Sequence, residues 1–175
     1  MNNVNYKKII LNSIKTPDDT VLISHRRHEY IEHLDRKTNK YYSIDGGMHY
    51  LKRGGDNDYI ELSVYDDADF DIIRTSLYRY NVHTSKYTLL KDMSDSWLKN
   101  VIKYHNGLID MFSDLKTSEH YSNIEDIEWI NSFYVTELEY RKNQNIFVDE
   151  TDIEKIKKHE YDTDFTHIKM FSKNK

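Results

Sequence analysis

The side chains with the most varied chemistry lie in two short segments of the N-terminal third of the chain. Residues 24–30 read SHRRHEY, and residues 45–53 read DGGMHYLKR. Guanidinium groups bind phosphate or carboxylate through paired N–H donors, and tyrosine or histidine rings can stack on a nucleobase. These residue types predict a binding surface for a small anionic, nucleotide-like ligand. We expect its contacts to come from the following side chains: Arg26, Arg27, His28, Tyr30, His49, Lys52 and Arg53.

The backbone of residues 24–34 decides how these side chains are presented. In an extended strand alternate residues share a face, so His25 and Arg27 are expected on one side and Arg26 and His28 on the other. Each side then presents both a cation and an imidazole. The competing interpretation is an exposed strand edge, on which lysine and arginine charges only deter aggregation.

A metal site is a weaker interpretation of the same histidines. Imidazole and carboxylate groups from His25, His28, His33 and Asp35 are suitable ligands for zinc or manganese. Positions 25 and 28 point to opposite faces of a regular strand, however, and the chain contains no H-E-x-x-H helix. We therefore predict that the protein holds no metal and no other cofactor.

Common catalytic motifs are missing from the sequence. Ser24 and His25 are adjacent, so their side chains diverge and cannot act as nucleophile and base, and there is no G-x-S-x-G turn. The sequence Asp45-Gly46-Gly47 matches neither a phosphate-binding loop nor the dinucleotide motif, and it predicts a turn. Carboxylates within residues 66–71 offer ligands for a divalent cation, but at the start of a predicted helix such carboxylates more often stabilise the helix dipole. The sequence assigns no catalytic residue and favours a binding protein over an enzyme.

The composition is typical of one folded domain in a reducing compartment. The chain has 175 residues, of which 15 are tyrosines, and tyrosine is common in half-buried strands and at interfaces. At this length we expect a single domain over residues 1–160 and a mobile tail at residues 161–175. Cysteine is absent, which excludes disulfides and thiolate metal sites. The apolar run at residues 9–11 is too short for a signal peptide or a membrane span, so we expect a cytoplasmic protein.

Charge is distributed unevenly along the chain. Residues 1–91 carry 14 Lys/Arg and 13 Asp/Glu, whereas residues 92–167 carry 8 and 17. A broad basic face for extended nucleic acid is therefore not expected, because phosphate neutralisation needs clustered cations. The acidic second half instead suits contact with a basic protein surface.

The hydrophobic pattern predicts an α+β fold in which the strands precede the helices. We expect a mostly antiparallel sheet over about residues 20–65, with a hairpin at residues 30–44 and one more strand at residues 86–91. The apolar spacing over residues 70–80 predicts a short helix between them.

The C-terminal helices are predicted from apolar stripes and capping residues. One helix begins after Ser94 and ends at Asn106-Gly107, a favourable C-terminal stop. Capping boxes at residues 122–125 and 151–154 open two more helices. We expect these helices to cover one face of the sheet.

Four motifs occur in a fixed order along the chain: SHRRHEY at residues 24–30, DGGMHYLKR at 45–53, ELSVYDD at 61–67 and LKDMSD at 90–95. They resemble the motifs of a widespread family of small tailed-phage proteins of unassigned function, over about residues 20–100. A weaker similarity is ELEYRK at residues 137–142. The resemblance implies a phage accessory protein made in a bacterial cytoplasm, and it carries over no catalytic residues.

Two functions from different classes fit these features. The first is a non-enzymatic phage accessory protein that counters host defence by sequestering a nucleotide-type signal at the basic segments. The second is an inhibitor or adaptor that engages a host protein through the acidic helical half. A metal-dependent phosphodiesterase is a distant third. A homo-oligomer is compatible with the first two, since tyrosine is enriched at interfaces.

Overall fold

Antiparallel strands in the first part of the chain are followed by helices in the second, which confirms the predicted α+β class. None of the helices in the described part of the chain is long and apolar enough to cross a membrane. The architecture comes from a computed structural model, which gives only the backbone for Leu115 and residues 118–122. It describes four ranges: 7–25, 28–47, 51–115 and 118–148.

The chain divides into two compact units, Met1–Tyr78 and Arg79–Lys175. The first unit contains the strands that flank the two basic segments, and the second contains both long helices. The single domain predicted over residues 1–160 stays a prediction. The tail predicted at residues 161–175 lies outside the described residues.

Strand β1 is the centre of one sheet in the first unit, because it pairs antiparallel with β2, β6 and β7. The hydrophobic pattern predicts a sheet that starts at about residue 20, so β1 is a strand that the sequence did not predict. Its apolar alternation is interrupted by Asn12 and Ser13, which are buried. The elements of this unit are β1 (Ile9–Lys15), β2 (Val21–Ser24), β3 (Ile31–Asp35), β4 (Lys40–Asp45), β5 (Lys52–Gly54), β6 (Ile60–Glu61), β7 (Val64–Tyr65) and α1 (Phe70–Arg74).

A second sheet in this unit has the order β3-β4-β5 and contains the predicted hairpin. Its turn at residues 36–39 is closed by a hydrogen bond from the backbone N–H of Asn39 to the carbonyl of Asp35 at 2.9 Å. Burial of aliphatic and aromatic side chains stabilises the unit, at roughly 1.5–3 kcal/mol for each large side chain. The core of buried side chains consists of Ile14, Leu22, Tyr42 and Ile44.

The predicted strand at residues 86–91 forms, but it pairs with a strand that the sequence did not predict. The two make a separate two-stranded sheet instead of extending the N-terminal sheets. The remaining elements are β8 (Tyr78–Asn81), β9 (Lys86–Leu89), a 3-10 turn (Leu90–Asp92), α2 (Asp95–Leu115) and α3 (Ser118–Gln144).

Two predicted helix ends are wrong. The helix expected over residues 70–80 ends at Arg74. Helix α2 continues past the stop expected at Asn106-Gly107. Phe112 lies further along this helix and is buried, so its burial outweighs the cost of about 1 kcal/mol for a glycine inside a helix.

The predicted start of α3 is also wrong. The helix begins at Ser118, four residues before the capping box at residues 122–125, which therefore lies within it. The second capping box, at residues 151–154, lies outside the described residues.

A buried arginine in the C-terminal part of α3 forms hydrogen bonds with residues 90–95, where the 3-10 turn leads into α2. Arg141 is 1% exposed, and its Nε donates to Glu137 Oε1 at 2.7 Å. Nη1 donates to the carbonyl of Met93 and to Asp95 Oδ1, both at 2.7 Å. Nη2 donates to the two carbonyls of residues 90–91 at 3.1 and 3.0 Å. All five N–H donors of the guanidinium are thereby used.

Candidate functional site

The strand pairing brings the two basic segments to the same end of the first unit. Ile31, the first residue of β3, pairs with Ile44 near the end of β4, and the first residue of β5 pairs with Asp45. The first basic connection (residues 25–30) therefore enters the β3-β4-β5 sheet where the second basic connection (residues 46–51) leaves and re-enters it. The second connection itself contributes a histidine, and its lysine and arginine, Lys52 and Arg53, follow it as the first two residues of β5. The strand pairing thus brings the described ends of the two segments, Tyr30 and Lys52, to the same end of the sheet.

None of the described residues of the first basic connection belongs to a strand, and His28 lies in a turn, which corrects the expectation of an extended strand. The side chain of Glu29 folds back, and its Oε2 accepts a hydrogen bond from the backbone N–H of His25 at 2.5 Å. The same oxygen lies 3.4 Å from Nδ1 of that imidazole. His28 has a φ of 61°, a left-handed conformation typical of turns. The expected division between two faces of a strand is therefore wrong for His25 and His28, whereas Arg26 and Arg27 lie outside the described residues.

Tyr30 is an exposed aromatic residue at this end of the unit. It is 60% exposed, and its hydroxyl donates to Glu32 Oε2 at 2.5 Å. This hydrogen bond raises the pKa of Tyr30 above its ordinary value. Because the hydroxyl is held while the ring stays accessible, the side chain offers a pre-positioned surface for stacking.

The structure describes four of the seven predicted contact residues. His28 and Lys52 are exposed, one in each half of the site. The other three lie outside the described residues, and their contribution stays a prediction from the sequence: Arg26, Arg27 and His49.

Arg53 is engaged within the protein. Its Nη2 donates to Glu61 Oε1 and to Ser63 Oγ, both at 2.7 Å, and its Nε donates to Asn12 Oδ1 at 3.3 Å. The hydrogen bond from Arg53, with a second from Tyr65, lowers the pKa of Glu61. These contacts tie β5 to the β1 sheet, so the predicted ligand contact at Arg53 competes with an internal role.

Two buried polar residues hydrogen-bond to the backbone of both connections: Asn12, which the sequence did not single out, and Ser24, which was considered above only as a nucleophile. Asn12 of β1 pairs with Ser24 of β2. Asn12 Nδ2 donates to the carbonyl of Gly46 at 2.9 Å, and Ser24 Oγ donates to the carbonyl of Glu29 at 3.1 Å. The available signal was a polar residue inside an apolar run, which in a buried strand must find a hydrogen-bond partner.

Asp45 adds a negative charge to the same end of the unit. The sequence predicted only a turn at this position. Its Oδ1 is buried and has no hydrogen-bond partner in the described part of the chain. Its charge is a minor cause of the raised pKa of Tyr30, after the hydrogen bond to Glu32. An anionic ligand at this end must therefore tolerate a carboxylate close by.

His33 and Asp35, considered above as metal ligands, belong to a network that joins two turns. His33 Nε2 lies 2.9 Å from Asp18 Oδ2. Asp35 is buried, and it accepts hydrogen bonds from the backbone N–H groups of Asp18 and Thr38, both at 2.7 Å. Burial alone raises the pKa of Asp35, but these bonds outweigh it and keep that pKa below its ordinary value. No group of three metal-ligating side chains occurs in the ranges that the structure describes.

Comparison of the chain with protein-family models, with curated proteins and with solved structures found no match. The resemblance to small tailed-phage proteins therefore stays a prediction from the sequence motifs.

Proposed function

We propose that the protein is a non-enzymatic binding protein that holds a small anionic, nucleotide-like ligand where the two basic connections meet. The observation that carries the proposal is their convergence through the pairing of β3, β4 and β5. Residues 24–30 and 45–53 together contain four Lys/Arg and three His against two carboxylates. Cations gathered at one end of a sheet raise the local concentration of anions.

The proposed ligand has a phosphate and a ring that can stack. Lys52 and the guanidinium groups of Arg26 and Arg27 bind the phosphate, and the exposed ring of Tyr30 stacks on the base. In a phage accessory protein, such binding sequesters a nucleotide-type signal and so counters host defence. The ligand is held and not converted, because the sequence supplies no catalytic motif.

Ligand protection tests this function directly. We expect at least one member of a panel of mono-, di- and cyclic nucleotides to raise the melting temperature by several degrees. At 100 times its dissociation constant a ligand stabilises the folded protein by about 2.7 kcal/mol. Replacing Lys52 with Ala should weaken binding by about tenfold, since a hydrogen bond to a charged group contributes about 1.5–3 kcal/mol.

A lysine at the other end of the same β3-β4-β5 sheet provides the control. Lys40 pairs with Asp35 in the β3-β4 register and forms an exposed ion pair with Asp56. An exposed pair contributes little to stability, so Lys40→Ala should leave both the fold and binding unchanged. Equal losses in the Lys40→Ala and Lys52→Ala variants would argue against a site at the connections.

Substitution of Asp45 tests whether a negative charge at the site weakens binding of the anionic ligand. We expect Asp45→Asn to strengthen nucleotide binding by about threefold to tenfold, because it removes a carboxylate that repels the phosphate. Isothermal titration at two salt concentrations measures this change, and the gain should shrink at high salt as the charges are screened. Weaker binding in the variant would instead assign Asp45 a direct contact with a donor group of the ligand.

The same experiments separate the alternatives. If no nucleotide shifts the melting temperature, and the acidic residues of 92–167 are required to bind a basic host protein, the protein is an adaptor or inhibitor. Turnover of a nucleotide that a chelator abolishes would identify a metal-dependent phosphodiesterase.

A further inference from the structure

Two neighbouring buried side chains form hydrogen bonds with the backbone of the two basic connections. Asn12 and Ser24 are paired residues of β1 and β2, and each is almost completely buried. A buried polar side chain must find its hydrogen-bond partners within the protein. Both bonds end on backbone carbonyls of the connections, those of Gly46 and Glu29.

Asn12 holds both ends of the second basic connection. Its Nδ2 donates to the carbonyl of Gly46, where the connection begins, and also lies 3.4 Å from the carbonyl of Asp45. Its Oδ1 accepts from Nε of Arg53, just beyond the point where the connection ends. One amide group therefore contacts the backbone at the start of the connection and the side chain of a residue just beyond its end.

Ser24 does the equivalent for the first basic connection. Its hydroxyl donates to the carbonyl of Glu29, near the end of the connection, while the carboxylate of Glu29 accepts from the N–H of His25 at its start. The connection is thereby closed on itself and anchored to β2. Since Asn12 and Ser24 are cross-strand partners, the anchors of the two connections lie side by side.

We infer that Asn12 and Ser24 are positioning residues, which fix the two basic connections relative to each other so that both contact one anion. They do not touch the ligand. The inference rests on the proposed function, and it explains why buried polar residues interrupt the strands at this point.

A matched variant separates positioning from general stability. Thr16 is buried to the same degree as Ser24, and its hydroxyl donates to Asp18 Oδ1 and to the carbonyl of Thr20. It lies at the opposite end of the β1-β2 pair. The variants Ser24→Ala and Thr16→Val therefore each delete one buried hydroxyl, and only the first lies beneath a basic connection.

Amide hydrogen exchange of the full chain measures the anchoring without a ligand. We expect Ser24→Ala to speed exchange about fivefold in peptides that contain residues 28–30, as loss of one hydrogen bond predicts. Asn12→Ala should do the same for residues 51–53. Thr16→Val should affect only residues 17–20.

Titration with ADP and with pyrophosphate measures the consequence for binding, at a temperature at which circular dichroism shows every variant folded. We expect Ser24→Ala and Asn12→Ala to weaken binding about tenfold, because the cations are no longer held in a binding geometry. Thr16→Val should bind like the wild type. Unchanged exchange or unchanged affinity in the Ser24 and Asn12 variants would overturn the positioning role.

The two proposals fail in different ways. If the wild-type protein binds neither probe and no nucleotide in the panel, the proposed function is overturned, while the exchange rates still decide whether these residues anchor the connections. If the wild type binds and the Ser24 and Thr16 variants lose equal affinity, the binding function stands and the positioning role is wrong.

Discussion

Replacing Arg141 with alanine is expected to lower the free energy of unfolding of the helical unit by about 3–5 kcal/mol. The substitution removes the cation from a fully buried carboxylate, since Glu137 is 0% exposed and accepts from Nε of Arg141. It also removes the donors to the carbonyls of Leu90, Lys91 and Met93. Breaking a buried pair from one side is costly because the remaining charge cannot reach water.

Tryptophan fluorescence is the appropriate measurement for this change. Both tryptophans of the chain, Trp97 and Trp129, belong to the second unit, so urea unfolding followed by their emission reports on that unit. Lys142→Ala is the control, since the next residue of the same helix is exposed and should change stability by less than about 0.5 kcal/mol.

A double variant shows how much of the lost free energy of unfolding comes from the ion pair and how much from the unpaired carbonyls. Substituting methionine for Arg141 and leucine for Glu137 together removes both charges, and replacing a buried pair with apolar residues is often neutral. We expect only partial recovery here, because the carbonyls near residues 90–93 still lack their donors. A loss below about 1 kcal/mol in Arg141→Ala would show that these contacts do not stabilise the unit.

The Arg141 network shows what the sequence could and could not predict about the fold. The motifs at residues 90–95 and 137–142 are visible in the sequence, and the apolar spacing correctly predicts a helix around the second. Nothing local indicates that they meet, because the contact joins residues about 50 positions apart. Helices and the hairpin are set by near neighbours and were predicted, whereas long-range polar contacts were not.

The candidate site shows the same limit. The chemistry of residues 24–30 and 45–53 was visible in the sequence, and alternating strands made their convergence a reasonable expectation. The turn at Glu29 and His28 was not predicted, because its hydrogen bonds compete with the extended backbone that the pattern favours. The hydrogen bond from Arg53 to Asn12 depends on β1. This strand was not predicted, because its buried polar residues interrupt the apolar pattern.

A second large effect is expected from pH, through a histidine buried in the helical unit. His105 of α2 is 5% exposed, and its ring centroid lies 5.6 Å from that of Tyr134 on α3. Arg79 of β8 donates to the hydroxyl of Tyr134 at 3.1 Å, which places a guanidinium beside the imidazole. Asn131 is the polar neighbour from α3. Burial first, and the charge of Arg79 second, lower the pKa of His105 to about 4.

The direction of the pH dependence follows from the two protonation states. Above pH 6.5 His105 is neutral in both the folded and the unfolded chain, so it adds no pH dependence. As the pH falls from 6.5 to about 4, the unfolded chain takes up a proton that the folded chain does not, and stability is lost. The full loss is about 3 kcal/mol, and it is reached near pH 4.

Comparing the wild type with His105→Gln isolates the contribution of His105 to the pH dependence of stability, since glutamine is polar but does not titrate in this range. The carboxyls with lowered pKa values in the described part of the chain, Asp18, Asp19, Asp35 and Glu61, all belong to the first unit. Tryptophan emission of the second unit should therefore show urea midpoints that fall steeply between pH 6.5 and 4 in the wild type and much less in the variant. Parallel pH profiles for the two proteins would mean that His105 is protonated in the folded state, and that its burial beside Arg79 does not control the stability of the unit.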